Sequence, residues 1–147
     1  MKSILLLLVL LVSTGTVRAD LLLARNSKAN CVIVIDPAAT APEQTAAKAL
    51  AATLRQITGA EFIVQTNTKA PTRAILVGGG DAARKAFLDV PFDGLDAEEL
   101  VIQTRGNRLL LAGGRPRGTL YAVSRFLQDQ CGVRWWTPWA KIGRAHV

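Results

Sequence analysis

An α/β (α+β) domain, a mixed β-sheet with about three helices packed on it, is the fold the sequence predicts. Three observations carry it. A β-branched run at residues 31–35 stops at Asp36-Pro37, an apolar stripe at helical spacing extends from Ala46 to Ile57, and two strand-like segments flank Arg105-Gly106-Asn107.

Taken in order, Cys31-Val32-Ile33-Val34-Ile35 is continuously apolar, which suits a central strand covered on both faces. Thr40 is placed to cap a helix whose first turn holds Pro42 and Glu43. That helix buries Ala46, Ala47, Leu50, Leu54 and Ile57, turns Lys48 and Arg55 to solvent, and stops at Gly59. Residues 61–65 read as a second strand and residues 74–77 as a third, which ends in Gly78-Gly79-Gly80. Asp81 is expected to cap a short helix reaching about Leu88, and the acidic stretch with Pro91 and Gly94 is a loop. Strands at 99–104 and 108–112 form a hairpin. Pro116 then opens a helix that buries Leu120, Val123, Leu127 and Cys131 and breaks at Gly132, before a last short strand from Arg134.

The amino end has the three parts of a secretory signal: basic Lys2, an apolar run at residues 4–12, and small Val17 and Ala19 beside a cut site. Cleavage is expected after Ala19, giving a secreted or periplasmic protein that starts at Asp20. The apolar run falls well short of the roughly 20 residues that span a bilayer, so no stable membrane span is expected. At the other end, Ile142-Gly143-Arg144-Ala145-His146-Val147 is what a common sequencing adapter encodes in frame. Residues 141–147 are therefore expected to be a non-native tail, which leaves one domain at residues 20–140.

Setting aside Lys2, Arg18, Lys141 and Arg144 removes four of the 18 basic residues and leaves 14 against 11 acidic ones, a net of +3. The basic residues are scattered, so the charge gives no reason to expect a nucleic-acid partner. His146, the one histidine, belongs to the suspect tail. No histidine triad or histidine metal site is expected from the rest. About 120 residues suffice for a core without staples. Export makes a Cys31–Cys131 disulfide chemically accessible, and both positions equally suit small buried hydrophobes.

Candidate chemistry is sparse. Gly78-Gly79-Gly80-Asp81 follows a strand and opens a helix but lacks the spacing of a phosphate-binding loop, and Asp81 would repel an anion. A tight turn needing glycine is the expectation there. Asp89, Asp93, Asp96, Glu98 and Glu99 read as an acidic solvated loop rather than a hydrolytic carboxylate pair. No catalytic residue, metal site or cofactor is assigned. Arg134, Trp135, Trp136 and Trp139 are the one unusual cluster, because aromatic residues make up only 5% of the chain. Indole faces stack on sugars and an arginine pairs with a uronic-acid carboxylate, but large rings at a chain exit equally suit a contact between domains.

From Leu110-Leu111-Ala112-Gly113-Gly114 through Pro116-Arg117-Gly118-Thr119-Leu120-Tyr121 and Phe126-Leu127 to Gly132-Val133-Arg134-Trp135-Trp136-Thr137-Pro138, the chain resembles a known family. It is similar to the amino-terminal domain of α-glucuronidases and related secreted hydrolases, and a related small domain precedes the barrel of β-hexosaminidases. Val34-Ile35, the helix ending at Gly59, and Ile75-Leu76-Val77-Gly78 add weaker support. The resemblance implies a non-catalytic domain that supports a carboxyl-terminal catalytic barrel acting on polysaccharide, with the catalytic carboxylates in that barrel. Ala122 departs from the glycine that often follows the tyrosine. A stand-alone carbohydrate-binding or cell-surface module is the alternative.

Overall fold

The computed structural model describes residues 21–134 and residues 143–144. The expected signal segment and Trp135, Trp136 and Trp139 lie outside the described residues.

A small hairpin opens the described chain, β1 (Ala24–Arg25) and β2 (Lys28–Ala29), turned through Asn26 and Ser27 at positive φ. Then follow β3 (Val32–Ile35), α1 (Ala41–Thr58), β4 (Val64–Thr66), β5 (Ala74–Val77) and α2 (Asp81–Ala86). After a 3-10 turn at Phe92–Gly94 come β6 (Leu100–Arg105), β7 (Arg108–Gly113), α3 (Gly118–Cys131), β8 (Val133–Arg134) and β9 (Gly143–Arg144). Five strands form one mixed sheet in the order β4-β3-β5-β7-β6, with β6 antiparallel to β7 and every other pair parallel. The short β8 and β9 pair antiparallel outside it.

Alternation along the strands divides the core into two layers. Ile33, Ile75, Val77, Leu109 and Leu111 meet α1 and α3 through Leu50, Leu54, Val123, Phe126 and Leu127. Val34, Leu76, Leu110 and Ala112 point the other way, where Ala82, Ala83 and Phe87 cover them. All four residues of β5 are buried, as a strand with helices on both faces requires.

The first helix is built as its sequence predicts. Thr40 Oγ1 accepts from the Glu43 N–H, Glu43 Oε2 accepts from the Thr40 N–H at 2.7 Å, and Gly59 closes the helix in the left-handed region. Ile57 differs from expectation: it is 38% exposed, and Thr53 and Glu43 join the buried stripe instead. The central run is an interior strand, but β5 rather than β3 is the middle of the sheet.

Other boundaries shift for local reasons. Asp81 is the first residue of α2 and not its cap; Asp36, from the end of β3, supplies the capping oxygen to the Asp81 N–H at 2.9 Å. A side chain from a distant strand end thus does what the sequence assigned to a neighbour. The helix ends at Ala86, and Leu88 is 83% exposed. Pro116 precedes α3 rather than opening it, and Leu120 and Cys131 are only half-buried, whereas Ala122 and Phe126 are buried. In the hairpin, Arg105 pairs with Arg108 across Gly106-Asn107, and φ is positive at Gly106.

Cys31 and Cys131 are free thiols. Cys31 is buried and its thiol donates to the Leu23 carbonyl at 3.7 Å. Burial raises its pKa from the ordinary 9.0 to about 11. Above pH 9 the unfolded chain gives up this proton while the folded chain keeps it, so stability is full below pH 9 and falls between pH 9 and about 11. A loss of about 2–3 kcal/mol is expected across that window, and Cys31→Ala flattens it. Urea titrations at pH 8, 9, 10 and 11 check this; equal slopes for both proteins would contradict it.

Candidate functional site

Adjacent parallel strands β3 and β5 send their chains in opposite directions. From β3 the chain continues through α1 to β4 over one face, and from β5 through α2 toward β6 and β7 over the other. Such a switch point, at the carboxyl ends of the strands, is where open α/β sheets bind ligands. A cleft of about 270 Å³ lies at this edge, lined by Glu43, Gly79, Arg84, Phe92, Asp93 and Arg115 among others. A wider, open groove of about 540 Å³, bordered by Lys28, Asn30, Ile63 and Arg73, lies at the amino edge, away from the loops that follow the strands.

The glycine turn over this edge is already filled from within. Only Gly78 has positive φ, +89°, and a Cβ there would meet Glu43 Cδ at 3.0 Å. Gly79 lies under the Phe92 ring and Gly80 under the Asp36 side chain, where a Cβ would come within 2.9 Å of the ring and within 2.3 Å of Asp36 Cβ and 2.7 Å of its carboxylate. The turn is therefore tight, as expected, but close approach matters more than φ at two of its three glycines. With Asp36 and Glu43 over the glycines, the space that a phosphate would need is taken by the chain's own carboxylates.

Glu43 is the centre of this edge. Its side chain is 4% exposed and Arg115 Nε approaches Oε1 at 3.4 Å. A carboxylate at that depth needs its partners, and it has the Thr40 N–H and the Arg115 guanidinium. Beside it Arg84 donates to both Asp93 oxygens at 2.7 and 2.8 Å and to the Gly79 carbonyl at 2.8 Å. The Arg84 hydrogen bond holds the Asp93 carboxyl below the usual carboxylate range. Arg84 also sits 5.3 Å from the Phe92 ring centre.

The acidic loop is spent on similar contacts. Hydrogen bonds from Gln103, from the backbone N–H of Asp89 itself and from Arg105 hold the Asp89 carboxyl below its ordinary pKa. Glu98 pairs with Arg117, and Glu99 accepts from the Asp96 N–H at 3.1 Å. Glu98 and Glu99 both lie outside β6, in the loop that leads into it. These pairs are solvent-exposed and contribute little to stability. Among the described residues, no group of three or more His, Cys, Asp or Glu is arranged to hold a metal ion.

The closing block has a clear structural reason. Gly113, Gly114 and Gly118 lie against the backbone of residues 95–99, so close that a Cβ at each would meet a carbonyl oxygen or carbon within 2.5 Å. The Gly114 N–H donates to the Glu99 carbonyl at 2.9 Å, and the Gly118 N–H to the Gly114 carbonyl at 2.7 Å. This crossing throws Arg115 and Arg117 outward, toward Glu43 and Glu98. Of the expected cluster, Arg134 is exposed on β8, after buried Val133. It is not brought to the carboxyl-edge cleft.

Reasoning from sequence missed the roles of Asp36, Glu43 and Arg115 at this edge. The signal for Glu43 was present as the Thr40–Glu43 capping spacing, but its partner lies 72 residues away. No family model matches the chain, and a search of curated proteins finds no similar sequence. No described helix is long and apolar enough to cross a membrane.

Proposed function

We propose that this chain is the non-catalytic amino-terminal domain of a secreted glycoside hydrolase acting on polysaccharide, α-glucuronidase-like, whose barrel carries the catalytic carboxylates. The observation that supports this reading most is the use made of the residues that carry the resemblance. Gly113, Gly114 and Gly118 serve a backbone crossing, and the helix they lead into, with Thr119, Phe126 and Leu127, packs on the sheet. The shared motif is then a structural signature. The carboxylates at the sheet edge are used as helix caps and ion-pair partners, which fits a supporting role.

In this reading Arg134, Trp135, Trp136 and Trp139 form the contact with the barrel, and the protein works outside the cytoplasm after removal of residues 1–19. The exposed position of Arg134 favours one further reading, a carbohydrate-binding module in which Arg134 and the indoles hold a uronic acid. Sequencing uninterrupted genomic DNA past codon 140 tests the first reading. A continuing frame that encodes a barrel with paired acidic residues supports it; a natural stop overturns it. Binding of uronic-acid oligosaccharides by the chain, abolished by Trp136→Ala with folding intact, supports the module instead.

A further inference from the structure

The two edges of the sheet are unlike. At one side β4 has three residues; at the other β6 has six, and among the described residues no strand pairs with its outer edge. The Gly114 N–H bond to the Glu99 carbonyl fixes the alternation of the ladder. Val101, Gln103 and Arg105 turn their backbone groups to β7. Leu100, Ile102 and Thr104 turn theirs outward.

This edge lacks the usual protections. Its sequence, Leu-Val-Ile-Gln-Thr-Arg, has no proline or lysine, and its register with β7 runs unbroken from Leu100 to Arg105. Leu100 and Ile102 are 36% and 37% exposed on the face that α3 only partly covers. Ile102 lines an apolar groove of about 390 Å³ together with Leu21, Leu23, Leu109 and Phe126.

We propose that the outer edge of β6 pairs antiparallel with β6 of a second copy of this chain, about a two-fold axis through Ile102. In an antiparallel pair, opposed side chains share a face, so the axis of a self-pairing strand must pass through a residue. Placing it at Ile102 sets Ile102 against its own copy, Leu100 against Thr104, and Glu99 against Arg105. The apolar residues then face the groove and the two ends carry opposite charges. An axis at Gln103 would set Val101 against Arg105, and one at Val101 would set Ala97 against Arg105; only the axis at Ile102 brings a second carboxylate, Glu99, opposite the Arg105 that already pairs with Asp89. The outward N–H and C=O groups of Ile102 also complete a hydrogen-bonded pair at the axis.

Sedimentation velocity of the purified chain over a concentration range is the first measurement, with a reversible dimer expected. Ile102→Lys sets two like charges opposite each other and is expected to weaken association at least about tenfold while the circular dichroism stays unchanged. In a Cys131→Ser background, Ile102→Cys is expected to form a disulfide-linked dimer on mild oxidation, because a residue on the axis faces its copy at about 5.5 Å between Cα atoms. Gln103→Cys, opposite Val101, is expected to stay unlinked. A monomer at every concentration, a dimer indifferent to Ile102→Lys, or linkage at 103 in preference to 102 overturns the proposal.

Discussion

Gly114→Ala is expected to destabilise the domain by at least about 3 kcal/mol, a large share of the roughly 5–15 kcal/mol that holds a small domain folded. The reason is not backbone freedom, since Gly114 is not among the glycines with positive φ. A Cβ there would lie 1.7 Å from the Asp96 carbonyl oxygen and 2.8 Å from that of Leu95, and neither is a side chain that can swing away. Relief means moving the residue 95–99 loop, which breaks the Gly114–Glu99 bond and shifts the start of β6. Gly106→Ala is the control: its φ is +57° and nothing lies within 4 Å, so a cost of about 1–2 kcal/mol is expected there from conformation alone. Urea denaturation of the two variants measures the contrast. A Gly114→Ala protein within 1 kcal/mol of the parent would show that the two backbones do not cross so closely.

Phe87→Ala is expected to cost about 3–5 kcal/mol. Phe87 is the largest fully buried side chain on the face that only the six-residue α2 and its flanking loops cover. Its removal leaves a hole beneath Val34, Leu76 and Leu110, which belong to strands and cannot collapse into it. Arg105 also loses the ring that its guanidinium covers at 5.4 Å. The neighbouring Leu88 is 83% exposed, and Leu88→Ala is expected to stay within about 0.5 kcal/mol of the parent. Equal effects at the two positions in urea unfolding would refute this assignment of the core.

Leu88 and Phe87 show where a linear reading runs out. The pattern placed a short helix through Leu88, but α2 ends at Ala86 and the chain turns, so one of two adjacent apolar residues enters the core and the other does not. Strand β3 and helix α1 were legible because their signals are local: a β-branched run, a capping threonine, a glycine stop. Helix α2 was half legible, since the oxygen that caps it comes from Asp36, 45 residues earlier. The same limit explains the candidate site. Glu43 could be read as half of a capping box, and its burial beside Gly78 and Arg115 could not.

By itself the sequence determined the class of fold, the succession of strands and helices from β3 to α3, the β6–β7 hairpin and the glycine endings of α1 and α3, because each depends on preferences expressed within a few residues. Tertiary structure alone decided the strand order β4-β3-β5-β7-β6, the filling of the glycine turn by Asp36, Glu43 and Phe92, and the crossing at Gly114. Those features depend on which distant segments share a volume. Steric exclusion and the pairing of buried polar groups settle that only after the chain has closed on itself.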